Sequence, residues 1–154
     1  MSTQITLEIH AEASGYVAAG RGEVWEAVAD LARRPNLTGY TPIKGTWPDE
    51  TARVRVMMNK GTFEMTRIET VIRCVRDEHL LVKVDAPDWG STAWLDHRIE
   101  PHGDGCCLTI GVIAAATFPE GQGPASRSEY AAMSQRGLAD AVDEYRKRIE
   151  GSGT

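Results

Sequence analysis

Residues 126–151 read SRSEYAAMSQRGLADAVDEYRKRIEG, the one long helix signal in a chain that is otherwise strand-like before it. Tyr130, Met133, Ser134, Gly137, Leu138, Ala141, Val142, Tyr145 and Ile149 recur at the three- and four-residue spacing of one helical face. Arg136, Asp140, Asp143, Glu144 and Lys147 fall on the opposite, water-facing side. Ser126 and Glu129 have the spacing of a capping box. Arg146, Lys147 and Arg148 oppose the negative end of the helix dipole, and Gly151 is placed as a C-terminal cap. A helix of about 25 residues reaches about 40 Å, enough to lie across a whole sheet.

Working outward, the preceding sequence supplies that sheet. Ile5, Leu7, Ile9 and Ala11 alternate with Thr6, Glu8, His10 and Glu12, which is a half-buried strand. Ser14-Gly15 predicts a bulge or turn before a short run from Tyr16 to Ala19. Residues 22–34 read as a helix with Val24, Trp25, Val28 and Leu31 on one face, closed or kinked by Pro35. Residues 36–40 are expected to add a short helical turn. Strands are then predicted at 43–47, 52–58, 62–75, 79–86, 92–99 and 106–117, with Pro, Gly, Asn and Asp in the connections. Such short links favour antiparallel pairing, because parallel strands need long crossovers. The expected architecture is α+β: a curved seven-stranded antiparallel sheet around a long C-terminal helix, with two short helices between strands 1 and 2.

Composition narrows the function classes. The 154 residues are read as one domain over 1–154, ordered from about residue 4 to 150. A net charge of −5 without a dense basic run argues against a nucleic-acid partner. No stretch approaches the roughly 18 apolar residues of a membrane span. The first residues lack the basic and apolar regions of a signal peptide, so a cytoplasmic location is expected. Three cysteines, Cys74, Cys106 and Cys107, suit a reducing compartment as small strand residues.

The order of elements resembles the helix-grip fold of the SRPBCC superfamily, which includes birch-pollen-allergen-like, START-related and polyketide-cyclase-like proteins. Residues 19–25, Ala-Gly-Arg-Gly-Glu-Val-Trp, resemble the family's lead-in to its first helix, with Gly20 where a proline is usual. Ile99-Glu100-Pro101 with Gly103-Asp104-Gly105 resembles its last hairpin. The Trp-Pro pair that follows the first helix in several cyclase branches is replaced here by Arg34-Pro35-Asn36-Leu37. The resemblance implies an apolar cavity between sheet and long helix, in proteins that serve as carriers, cyclases or chaperone activators.

Few residues carry a chemical signal. Gly20-x-Gly22 lacks the third glycine of a dinucleotide loop, since Trp25 stands there, and reads as a helix start. His97 shares a strand face with Leu95 and Ile99, so it is expected to point inward, either as an acid or base or as a histidine bonded to a neighbouring strand. No histidine pair has metal-ligand spacing, and no metal or cofactor is expected. Arg67 and Glu69 lie in phase with Phe63 and Met65, while Ile68, Thr70 and Ile72 are out of phase. That shift predicts a bulge near Thr66; depending on its position either Arg67 or Glu69 enters the cavity, or the two form a solvent-side ion pair, the latter being favoured. Arg53 and Arg55 are expected on a solvated face. Methionines and aromatics, Met57, Met58, Met65, Met133, Tyr40, Trp89, Trp94 and Tyr130, supply deformable or flat apolar surface. Gly137 in mid-helix leaves room for a ligand or for close sheet contact, the latter being favoured.

The expected ligand-binding residues are Met65, Leu95, His97, Tyr130, Met133 and Gly137. The first expectation is a binding protein for a small, mostly hydrophobic molecule. The alternatives are a cyclase or dehydratase using His97, and an interaction module or homodimer built on the outer face that carries Thr92, Trp94, Asp96 and Arg98.

Overall fold

The computed structural model describes residues 4–59, 64–87, 90–119 and 126–152. Phe63, Trp89 and the predicted connections at residues 60–61, 88 and 120–124 lie outside them. The elements are β1 (Gln4–Val17), α1 (Arg21–Ala29), a single 3-10 turn (Leu31–Arg33), β2 (Leu37–Lys44), β3 (Arg53–Asn59), β4 (Glu64–Val75), β5 (His79–Ala86), β6 (Ser91–His102), β7 (Gly105–Pro119) and α2 (Arg127–Ser152).

All seven strands form one antiparallel sheet in the order β1-β7-β6-β5-β4-β3-β2. Strands β2 to β7 follow as hairpins, as short links dictate. The two strands consecutive across α1 therefore occupy opposite edges. With neighbours about 4.8 Å apart, the path from β1 to β2 crosses about 29 Å. Helix α1 and the 3-10 turn make that crossing beneath the sheet, burying Val24, Trp25, Ala27, Val28 and Leu31.

Helix α2 starts where the capping residues place it: the Glu129 N–H donates to Ser126 Oγ at 3.1 Å. It runs on through Gly151 to Ser152, so the expected cap at Gly151 is part of the helix. It lies along β1 and protects that edge, whose backbone would otherwise be open to pairing. The Glu12 N–H donates to Gln135 Oε1 at 3.2 Å, Gln135 Nε2 donates to the Glu12 carbonyl, and the Ala18 N–H donates to Glu150 Oε2 at 3.2 Å. Leu138, Val142, Tyr145 and Ile149 enter the core with Ile9, Ala11, Leu80, Val82, Leu108 and Ile110.

Four local expectations are corrected. Strand β1 continues through Ser14-Gly15 and pairs with β7 residue for residue from Gln4 to Val17. Gly15 instead marks the close approach of α2, since a Cβ there would stand 2.7 Å from Val142 Cγ1. The predicted helix over 22–34 divides at Asp30, whose side chain accepts from the Ala32 N–H at 2.9 Å and starts the 3-10 turn. Residues 37–44 form strand β2 rather than a helical turn: Pro35 holds Arg34 extended, and Asn36, at φ 66°, turns the chain left-handed toward β3. Finally, β4 pairs with β3 without a shift from Glu64 to Thr70, so no bulge sits at Thr66. The irregularity falls at Ile72, skipped between the Val71–Val82 and Arg73–Leu81 pairs.

Candidate functional site

Moving that bulge six residues along β4 changes which side chains enter the protein. Side chains alternate across a strand, so Met65, Arg67, Glu69 and Val71 share the inner face. Their partners on β3, Met58, Val56 and Val54, are buried, and Glu69 sits between Val54 and Val84. Ile68, Thr70 and Ile72 turn outward, and Ile72 is exposed. Arg67 and Glu69 are therefore not a solvent-side pair. Glu69 is fully buried.

A second arginine reaches it from the segment just ahead of β2. Pro35 ends the 3-10 turn, and the Arg34 side chain passes under the sheet, 5.8 Å from the Trp47 ring. Trp47 is itself fixed by its Nε1–H, which donates to the Ala29 carbonyl at 2.9 Å. Arg34 Nη1 donates to Glu69 Oε2 at 2.5 Å, and Arg67 Nη2 donates to the same oxygen at 2.8 Å. Tyr145 of α2 completes the group by hydrogen bonding to Arg34. Two guanidinium groups against one carboxylate leave a net positive charge in the interior.

Burial works against each of these charges and the ion pairing works for them. For Glu69, burial raises the pKa, but Arg34 and Arg67 outweigh it and hold the carboxyl at about 2. Burial lowers the pKa of Arg34, and Glu69 with Tyr145 reverses that into a net rise. Arg67 is lowered, by burial and by the neighbouring Arg34. The Tyr145 hydroxyl is raised by burial.

His97 enters from β6 as its phase predicts, and it is 4% exposed. It pairs with Leu80 on β5, and its ring Nδ1 lies 3.3 Å from the Leu80 carbonyl. A carbonyl can only accept, so Nδ1 carries the proton in that bond. Burial, with Arg34 second, lowers its pKa to about 4. The imidazole is neutral at ordinary pH.

The other expected ligand residues are distributed around this cluster. Leu95 is half-buried on the inner face of β6, and Met65 is half-buried on the inner face of β4. Tyr130, near the start of α2, packs against Leu7 and Ala116 and hydrogen bonds to Ser91. Met133 is 47% exposed, and a Cβ at Gly137 would meet nothing within 4 Å. The close approach expected at Gly137 is thus made by Gly15. Gly137 lies in helical line with Arg148, whose Nη1 donates to the Arg33 carbonyl at 3.0 Å, so it faces the 3-10 turn side of the helix. Sequence reasoning missed Arg34 and Tyr145. Arg34 is one of many arginines, and nothing in its own neighbourhood marks it as buried.

Two grooves lie elsewhere, and none of the six residues lines either of them. One, of about 530 Å³, follows the outer face of β1, β7 and β6 past Trp94 and Ile113 to Arg127. The other, of about 410 Å³, lies beside Gly15, Val142 and Arg146. Trp94, 38% exposed, has Ile113 across the strand and Lys83 Nζ 5.9 Å from its ring. Among the described residues, no three His, Cys, Asp or Glu side chains gather as a metal site, and no helix is long and apolar enough to cross a membrane.

No family profile and no curated protein sequence matches the chain. Solved structures do match in fold. The protein TTHA0849 of Thermus thermophilus has a TM-score of 0.76 at 14% identity, over 95% of this chain and 100% of that one. Ara h 8.0201 gives 0.67 at 7% identity, over 94% and 99%. A norcoclaurine synthase variant of Thalictrum flavum, in complex with a transition-state analogue, gives 0.62 at 17% identity, over 100% of both chains. A seven-stranded antiparallel sheet closed by one long C-terminal helix, in the strand order seen here, gives this chain the helix-grip fold that these structures share.

Proposed function

We propose that this protein binds a small, mostly hydrophobic molecule between the inner face of the sheet and the N-terminal half of α2. One observation carries the reading: α2 buries its apolar stripe fully only from Leu138 onward, and before that point Tyr130 alone of the stripe's large side chains packs on the sheet, half-buried against Leu7 and Ala116. In that half Met133 is exposed and Gly137 is open, and the inner faces of β4 and β6 carry the half-buried apolar side chains Met65 and Leu95. Methionine adapts to variable shapes at low cost, and Met65 and Met133 supply it on both walls. The proposed contacts are Met65, Leu95, His97, Tyr130, Met133 and Gly137. The norcoclaurine synthase complex supports the reading, because there the same fold holds a small molecule.

Acid–base catalysis by His97 receives less support. A histidine with a pKa of about 4 is a poor proton donor at neutral pH, because almost none of it is protonated. In the proposed site it serves as a neutral dipole.

Native mass spectrometry of the purified protein, followed by denaturing extraction, tests the proposal. A co-purifying molecule of a few hundred daltons is expected in the wild type, with loss of most of it in Gly137→Trp, which fills the open flank. An apolar ligand retained equally by both proteins would place binding elsewhere.

A further inference from the structure

Glu69 and Arg67 each keep one hydrogen-bonding atom that the protein does not answer. Both guanidinium groups converge on Glu69 Oε2, which leaves Oε1 aside. Among the described residues, Glu69 Oε1 and Arg67 Nε are buried and without a partner. Buried polar atoms are nearly always paired, and an unpaired one is costly, most of all on a charged group. These two stand two residues apart on β4 and point to the same side of the sheet. One is a charged acceptor and the other is an N–H donor. Arg67, at 15% exposure against 7% for Arg34 and 0% for Glu69, is where the cluster is least closed.

We propose that the molecule held between the sheet and α2 carries a hydroxyl group, which donates to Glu69 Oε1 and accepts from Arg67 Nε. This rests on the ligand reading above and names the polar end of that ligand. Net charge alone would favour an anion. A carboxylate, however, has only acceptors; it would satisfy Arg67 Nε and set its charge against Glu69 Oε1. A carbonyl would likewise leave Glu69 unanswered, and an ammonium would meet two guanidinium groups. A hydroxyl donates and accepts through one atom, so it answers both. The class of ligand is therefore a phenol or alcohol on an apolar body.

Calorimetric titration of the full chain at pH 7 with 2-naphthol, 2-methylnaphthalene and 2-naphthoate tests this, since the three share one ring system and differ in the polar end. The naphthol is expected to bind about tenfold or more tighter than either of the others, the size of effect that one unpaired buried polar group produces. In Arg67→Met, which leaves the Arg34–Glu69 pair in place, the preference over 2-methylnaphthalene should shrink to about twofold. Arg67→Lys, which keeps the charge and places no N–H at the Nε position, should lose it likewise and serves if Arg67→Met does not fold. Equal binding of naphthol and methylnaphthalene, tighter binding of naphthoate, or a preference that survives both substitutions overturns the hydroxyl assignment and leaves the apolar site standing. Failure of all three probes to bind overturns both.

Discussion

The two halves of α2 carry one amphipathic stripe and meet the same sheet in different ways. From Leu138 onward the stripe is closed: Leu138, Val142, Tyr145 and Ile149 are all buried, and Gly15 lets Val142 approach β1. Before Leu138 the same periodicity yields a half-buried Tyr130, an exposed Met133 and an open Gly137. The helix itself does not account for this. What differs is the opposing surface: Gly15 admits Val142 in the closed half, whereas in the first half Leu7 and Ala116 meet Tyr130 and nothing stands over Gly137. Amphipathic spacing shows which flank turns inward; whether anything meets that flank is settled by the strand below.

The largest expected effect comes from the buried charge cluster that Tyr145 of the closed half adjoins. Glu69→Leu leaves two buried guanidinium groups without their counter-ion, and should cost about 3–5 kcal/mol in urea denaturation. Met133→Ala, in the open half, should stay within about 0.5 kcal/mol. Similar costs for the two would erase the contrast.

Acidification sharpens it next. The folded pKa of His97, about 4, lies below its ordinary value of 6.5, so the unfolded chain binds the proton first. Stability supplied by the neutral imidazole is present above pH 6.5 and is lost as pH falls to 4, by roughly 3 kcal/mol in all. Glu69, whose carboxyl is held at about 2 against an ordinary 4.5, contributes stability that is lost in the lower window between those values. Stability measured from pH 7 to 4 should therefore fall less in His97→Gln than in wild type. Parallel profiles would place the imidazole in contact with water.

The smallest effects separate the two glycines by sign. Gly15→Ala forces a Cβ against Val142 and should destabilise by about 1–3 kcal/mol. Gly137→Ala meets nothing and gains helix propensity, so it should stabilise by about 1 kcal/mol. Thermal unfolding of both variants measures the difference, and a shift in the same direction for both would contradict the packing described.

The sequence displays the fold more openly than the site, for a physical reason. Strand alternation in β1, the β5 range, the capping residue Ser126 and the stripe of α2 are local patterns, and each survives into the structure. His97 was legible as inward for the same reason, by its phase with Ile99. Arg67 and Glu69 were not. Their direction depends on where one extra residue is inserted in β4, and the outward Ile68, Thr70 and Ile72 mimic an inward phase. Arg34 and Tyr145 join the cluster through tertiary contacts alone, from segments about 35 residues before and 76 after Glu69. Short-range pattern carries no record of such a meeting.

The methionines give direct access to the proposed site, where a small apolar molecule would sit between β4, β6 and the open half of α2. Met57 on the outer face of β3 is 41% exposed and Met133 on α2 is 47% exposed, so solvent access does not distinguish them. In a titration with 2-naphthol followed by methyl carbon NMR, Met133 and Met65 should shift with Met57 unmoved. A response at Met57 equal to theirs, or silence at Met65 and Met133 while the probe binds, would contradict that placement.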